Sequence, residues 1–395
     1  MDVLARAHAL EAAGRSVIHM EIGEPDFTAP EPVVEAAVRA LRDGVTAYTA
    51  TLGLPALRDA IAAHYGSRFS RRIAPERIAI TSGASGGLLL TLALYVNPGD
   101  EILVPDPGYP GYRHMVRAFE GTARALRVSP ATNFQPSLEM VRAAWGPRTR
   151  GLLLGSPSNP TGTLISEIEI RKIARFVASR GGVLIVDEIY QGLVYDRPPS
   201  TALGLPGEVV VVNSFSKYFC MTGWRLGWVV LPKARMREFE KLAQHLFICA
   251  PTVAQHAALA CFAPESLEIL ERRRLEFRRR RDFLVPALER AGLAVPARPQ
   301  GAFYVYAACP AGGGRDGRRF ALGLLEREGV AATPGVDFGA NGTKRCVRFA
   351  YTRAMADLEE AAVRLKRFCE AGIRPTRRAG TASASAPGAR ARRAP

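Results

Sequence analysis

The sequence lacks what would mark a metal protein, a disulfide scaffold or a membrane span. Its six cysteines (Cys220, Cys249, Cys261, Cys309, Cys346, Cys369) include no C-x-x-C pair, and only His245 with Cys249 has ligand-like spacing. That pattern argues against zinc and against a disulfide framework, and the thiols read as buried. No metal is expected. The longest apolar run, about Leu88 to Val96, falls far short of the roughly 20 residues a membrane helix needs. The start, Met1-Asp2, shows no charged-then-apolar secretory pattern, so a cytoplasmic location is expected. A P-loop pattern is missing as well, which removes one common route to nucleotide binding.

What is present is a chain of 395 residues with 48% hydrophobic content, the composition of a globular enzyme with one large core or two moderate ones. The net charge of +16 suggests nucleic acid until it is located. Arg374, Arg377, Arg378, Arg390, Arg392 and Arg393 crowd the last stretch with no acid among them, in an Ala/Gly/Ser/Pro-rich setting. Residues 374–395 therefore read as a basic, disordered tail. No aromatic residue interleaves with these charges, so nucleic acid is not an expected partner. The arginines from Arg272 to Arg281 read as the exposed face of a helix.

The chemistry gathers at strand ends. Val209 to Val212 form a strand buried on both faces, which breaks into a polar turn carrying Ser214, Ser216 and Lys217. A lysine in that position is paired, pointed into solvent, or used as an amine of lowered proton affinity. Two further buried strands precede it. Gly151 to Ser156 runs into Asn159, and Val183 to Asp187 ends on an acid, with an amphipathic helix over Ile168 to Val177 between them. That spacing predicts a right-handed β-α-β unit with parallel strands, and parallel strands present their carboxyl ends on one edge. Asn159, Asp187 and Lys217 should therefore converge.

Earlier in the chain, Arg77 to Thr81 predicts a strand, Ser82 to Gly87 a small-residue turn, and Leu88 to Tyr95 a helix. Strand, glycine turn and helix start together make an anion site suited to phosphate. The turn also spells G-x-S-x-G at Gly83, Ser85 and Gly87, the nucleophile elbow of α/β serine hydrolases. That alternative lacks a late histidine, since His256 is the last one. Tyr109 and Tyr112 follow a proline-glycine turn after another strand, Glu101 to Val104. Beyond Trp228–Leu231 come long helical stretches to about Leu284, then a helix over 282–290, a strand over 303–307, a helix over 319–328 and the strand CVRFAY. Arg348 lies in that last strand, and its partner carboxylate is either the protein's or a substrate's.

A reactive amine, a buried acid and a phosphate nest form the set that pyridoxal phosphate needs. The motifs SNPTG (158 to 162), DEIY (187 to 190), SFSK (214 to 217), MTGWRLG (221 to 227) and VRF (347 to 349) resemble those of the class I/II aminotransferases, pyridoxal-phosphate-dependent enzymes of fold type I. The resemblance runs from about residue 5 to 370. It implies an α/β fold: a mostly parallel sheet flanked by helices in a large cofactor-binding domain (31–284), with a smaller α+β domain from 1–30 and 285–373. It makes Lys217 the Schiff-base lysine and proton carrier, and puts Asp187 on the pyridine nitrogen. Tyr190 and Asn159 would face the phenolic oxygen, Tyr109 would stack on the ring, and Ser214, Arg225, Ala84 and Ser85 would hold the phosphate. Arg348, with Gly23 beside it, would take the substrate's α-carboxylate. Tyr48 would reach the phosphate of a neighbouring subunit, so a homodimer with shared sites is implied. The expected reaction moves an amino group from an L-amino acid to a 2-oxo acid, with 2-oxoglutarate the implied acceptor. Elimination at a C–S bond by the same groups is the alternative. Tyr109, Tyr112 and Phe247 are candidates for an aromatic substrate lining.

Overall fold

In the computed structural model, residues 2–310 and 316–372 are described; the expected tail 374–395 lies outside them. The chain opens with α1 (Asp2–Ala12), β1 (Ile18–His19), α2 (Glu31–Arg42) and α3 (Pro55–Phe69). It continues through β2 (Ile78–Thr81), α4 (Gly83–Tyr95), β3 (Glu101–Asp106), α5 (Pro110–Ala118), β4 (Thr122–Arg127), α6 (Leu138–Ala144) and β5 (Thr149–Gly155). Then come α7 (Glu167–Ser179), β6 (Val183–Asp187), β7 (Glu208–Ser214), β8 (Gly227–Val230), α8 (Met236–Leu246), α9 (Thr252–Leu259) and α10 (Pro264–Arg290). The last elements are β9 (Tyr304–Ala308), α11 (Gly317–Glu328), β10 (Val330–Ala331), β11 (Thr333–Pro334), β12 (Cys346–Ala350) and α12 (Met355–Glu370).

A seven-stranded sheet in the order β2-β8-β7-β6-β5-β3-β4 forms the centre. Neighbouring strands from β7 through β4 are parallel, and only β8 runs against its two neighbours. The near-continuous apolar runs have the reason expected of parallel strands, which are covered on both sides. In β7, Val209 and Val211 pack into one core with Leu184, Val186, Leu152 and Leu154, while Val210 and Val212 join the other with Ile185 and Leu153. Alternate residues thus serve opposite faces. Antiparallel to β8 on both sides, β2 and β7 share one direction, so the start of α4 lies on the same sheet edge as the ends of β5, β6 and β7.

Two smaller sheets, β1-β10 and β11-β12-β9, stand apart from the central one. Residues Ile18 and His19 pair with Val330 and Ala331, which draws the N-terminal segment onto the C-terminal region. The expected pair of helices meeting near residue 284 is one helix, α10, with Pro286 inside it, so the expected boundary between 284 and 285 falls within a continuous element. Likewise α4 begins at Gly83, and the small residues read as a turn are its first turn. Their size answers to close approach: a Cβ on Gly87 would lie 2.7 Å from Val229.

The arginines of α10 do not form a uniformly exposed face. Arg272 and Arg279 do face solvent, but Arg280 and Arg281 are buried. Arg280 donates to Asp26 at 2.8 Å, and Arg281 makes a bidentate pair with Asp196 at 2.6 and 2.9 Å and donates to the Pro299 carbonyl at 3.0 Å. These bonds tie the long helix to segments far away in the chain. Because Asp196 is half exposed and can be resolvated, Arg281→Ala should cost about 2 kcal/mol through the lost charge-assisted bonds and packing rather than through a stranded charge. Urea unfolding of the variant checks this.

Candidate active site

The shared sheet edge opens into a cavity of about 380 Å³. Lys217, Asp187, Tyr190, Asn159, Ser214, Arg225, Ala84, Ser85, Tyr109, Gly23 and Arg348 all line it, so residues spread over the whole sequence meet in one place. Tyr48 does not line it and is 78% exposed in the single chain. Phe247 packs near Gly86 of α4, outside the lining.

Three residues past the end of β7, Lys217 turns its amine onto the Gly23 carbonyl at 2.6 Å. Burial pushes this amine down to about 8; Arg348 and Arg225 push the same way, against Glu24 and Asp187. About a tenth of it is therefore neutral at pH 7, far more than for an ordinary lysine, and an amine must be neutral to act as nucleophile or base.

Asp187, the last residue of β6, is fully buried and accepts from the Tyr112 hydroxyl at 2.8 Å and from the Ile189 N–H at 3.0 Å. Burial raises its carboxyl to about 6, opposed by those two bonds and by Lys217. It is an anion at neutral pH, held in a dry place and able to accept one more strong donor. Tyr112 sits on the first turn of α5, with Tyr109 edge-on to it at 5.3 Å. Across the cavity the Tyr190 and Tyr304 hydroxyls share a bond of 2.8 Å.

The α4 N-terminus forms another wall. Ser82 makes no side-chain cap and the first turn holds no acid, so its N–H groups are free to meet an anion. A Cβ on Gly83 would lie 2.6 Å from the Arg225 guanidinium, and Ser214 and Ser216 are bonded to each other at 2.9 Å nearby on the same cavity wall. Ser85 belongs to this uncapped first turn. No histidine lines the cavity, so the hydrolase alternative has no base for it.

Arg348 answers the question left open by its strand. It donates to Asn159 Oδ1 at 3.0 Å, to the Glu21 carbonyl at 2.6 Å and to Thr333 at 3.2 Å, and stacks over Tyr304 at 4.3 Å. None of these partners is a carboxylate, and its Nε is buried without a partner. A buried guanidinium without a counterion awaits one. Sequence reasoning gave Ser216 no role beyond its place in the polar turn, assigned no bond to Tyr112, and passed over Tyr304 and Thr222; Tyr112 carried a signal, since a tyrosine three residues after Tyr109 shares its helix face.

A lysine, a buried carboxylate and an arginine stand around one uncapped helix start in a single cavity. The model of the family "Aminotransferase class I and II" matches residues 15–365. A valine–pyruvate aminotransferase of Mycobacterium tuberculosis is 38% identical over 92% of this chain and 94% of its own length. A (5-formylfuran-3-yl)methyl phosphate transaminase of Methanocaldococcus jannaschii is 37% identical over 93% and 95%. Among solved structures, an aminotransferase from Mycobacterium tuberculosis superposes with a TM-score of 0.89 at 37% identity, covering 94% of this chain and 96% of that one. The Thermus thermophilus aspartate aminotransferase with maleate gives 0.87 at 35% identity, covering 93% and 95%. The chain belongs to the class I and II aminotransferases. It has their fold-type-I α/β architecture and is an aminotransferase.

No helix among the described residues is long and apolar enough to cross a membrane.

Proposed function

We propose that this chain binds pyridoxal 5'-phosphate in the 380 Å³ cavity and moves an amino group from an L-amino acid to a 2-oxo acid in two half-reactions. The observation that carries this is Lys217 and Asp187 facing one cavity with the uncapped start of α4 and the carboxylate-free Arg348. The residues fit the group. The α4 N–H groups, Arg225, Ser214 and the Ser85 hydroxyl would take the phosphate, Asp187 the ring nitrogen, Tyr109 the ring face, and Tyr190 and Asn159 the phenolic oxygen. Asn159 can donate there because its Oδ1 is already engaged by Arg348. When bound, pyridoxal phosphate supplies the electron sink that acidifies the substrate's α-carbon. Lys217 Nζ then removes that α-proton, and Arg348 with the Gly23 backbone orients the carboxylate so that the proton faces the amine. Exposed Tyr48 supports a homodimer in which it completes the partner's phosphate site. The free cysteines support a reducing, cytoplasmic setting.

The test is transfer of labelled nitrogen from an amino acid to a 2-oxo acid by the protein loaded with pyridoxal phosphate. Release of ammonia and pyruvate without such transfer would replace this reading by elimination.

Tyr112→Phe bears on the ring-nitrogen contact. Loss of its bond leaves Asp187 easier to protonate, so its carboxyl moves above about 6 and the charged form is lost at higher pH as pH falls. Cofactor affinity should change little at neutral pH, where Asp187 stays mostly ionised, and weaken increasingly as pH falls through 6, toward about fivefold, the worth of one net hydrogen bond of about 1 kcal/mol. Fluorescence titration with pyridoxal phosphate across pH checks both size and direction.

A further inference from the structure

A second cavity, of about 300 Å³, adjoins the first through Tyr109, Asn159 and Arg348. We infer that it receives the substrate side chain and selects monocarboxylic substrates with apolar side chains, aliphatic or aromatic, against those carrying a second carboxylate. This rests on the proposed role of Arg348 as partner of the α-carboxylate, and it departs from 2-oxoglutarate as the acceptor.

With its carboxylate on Arg348 and its amino group toward Lys217, an amino acid has its side chain left to enter the space beyond their shared walls. Those walls are apolar: Val3 and Leu4 from α1, Ile22, Tyr109 and Phe338. The charged side chains other than Arg348 are both acids, Glu21 and Asp337. Glu21 is buried. Its Oε1 is bonded to the His19 ring at 2.7 Å, and its Oε2 has no partner. That oxygen is buried, so Glu21 offers an entering carboxylate no cation and no donor. The imidazole behind Glu21 is engaged on both sides, because its other nitrogen meets Glu11 at 3.0 Å. Two acids thus bracket one histidine. Arg113, which donates to the Asp337 carbonyl at 2.9 Å, is not part of the lining. An apolar side chain loses water here without leaving a charge unpaired, whereas a distal carboxylate loses water and finds no cation in the lining beyond the one already engaged, Arg348.

The experiment uses the protein loaded with pyridoxal phosphate and follows its visible spectrum after rapid mixing with single amino acids and no 2-oxo acid. Leucine and phenylalanine should convert the spectrum at least about tenfold faster, per unit concentration, than aspartate and glutamate. Ile22→Arg, which adds a cation to the wall, should raise the glutamate-to-leucine ratio about tenfold or more. Glu21→Gln, which keeps the shape and removes the charge, should move the ratio the same way by less. Aspartate or glutamate converting as fast as leucine would overturn the inference and leave the proposed function standing. Failure of every amino acid to convert the spectrum would overturn both.

Discussion

Lys217→Ala is expected to lower amino-group transfer by about four orders of magnitude or more while leaving the fold and cofactor binding in place. Nucleophile and proton carrier are lost together, and general acid-base catalysis alone contributes roughly 10²–10⁴-fold. Lys217 is the only lysine lining the cavity, so no neighbour can substitute for it. Binding should survive because the groups proposed to hold the phosphate and ring nitrogen, the α4 start, Arg225 and Asp187, are untouched. Removing the amine also leaves the Gly23 carbonyl without its 2.6 Å donor, a minor loss at a cavity wall that water reaches. Lys217→Arg should be equally inactive, since a guanidinium keeps its proton at any working pH, whereas the Lys217 amine titrates near 8. A small added amine restoring part of the activity to the alanine variant would mark the loss as chemical rather than structural. Ordinary turnover by Lys217→Ala would remove the lysine from the mechanism.

The site was legible in the sequence wherever one strand carried it. Buried parallel strands announce themselves as unbroken apolar runs, and polar residues at or just past the end of each run face the ligand edge. Asn159, Asp187 and Lys217 were found for that reason. What the sequence hid was long-range pairing. Nothing in the residues around Arg281 says that Asp196 will come to meet it, so a basic helical stretch looked exposed when part of it is buried. The Tyr112 to Asp187 and Tyr190 to Tyr304 bonds are likewise made by tertiary folding. The start of α4 was missed for another reason. Glycine and serine have poor intrinsic helix propensity, and the tight packing against Val229 that favours them there is visible only once β8 lies alongside.

Arg348 is where the strongest dependence on substrate chemistry is expected. Its guanidinium is committed to two neutral side-chain oxygens and one backbone carbonyl, and is stacked on Tyr304 at 4.3 Å and Phe338 at 4.9 Å, with no protein carboxylate in reach among the described residues. The aromatic faces and carbonyl dipole fix its plane without neutralising its charge. An entering α-carboxylate therefore meets a donor already oriented and already largely stripped of water, the condition under which a charged pair is worth most. Arg348→Met, which keeps much of the stem's volume, should lower kcat/KM for amino acids by about 10²–10³, within the roughly 2–5 kcal/mol lost when one member of a buried charged pair is removed. The loss should fall mainly on KM. Arg348→Lys should recover only part of it, because an ammonium restores the charge but not the planar two-point grip. The decisive control is a simple alkylamine, which carries the reacting nitrogen and no carboxylate. Its slow half-reaction should be nearly unchanged by Arg348→Met, since the interaction removed is one it never makes. An equal loss for amine and amino acid would mean that Arg348 shapes the cavity rather than binding substrate, and the subsite next to it would then lose its anchor as well.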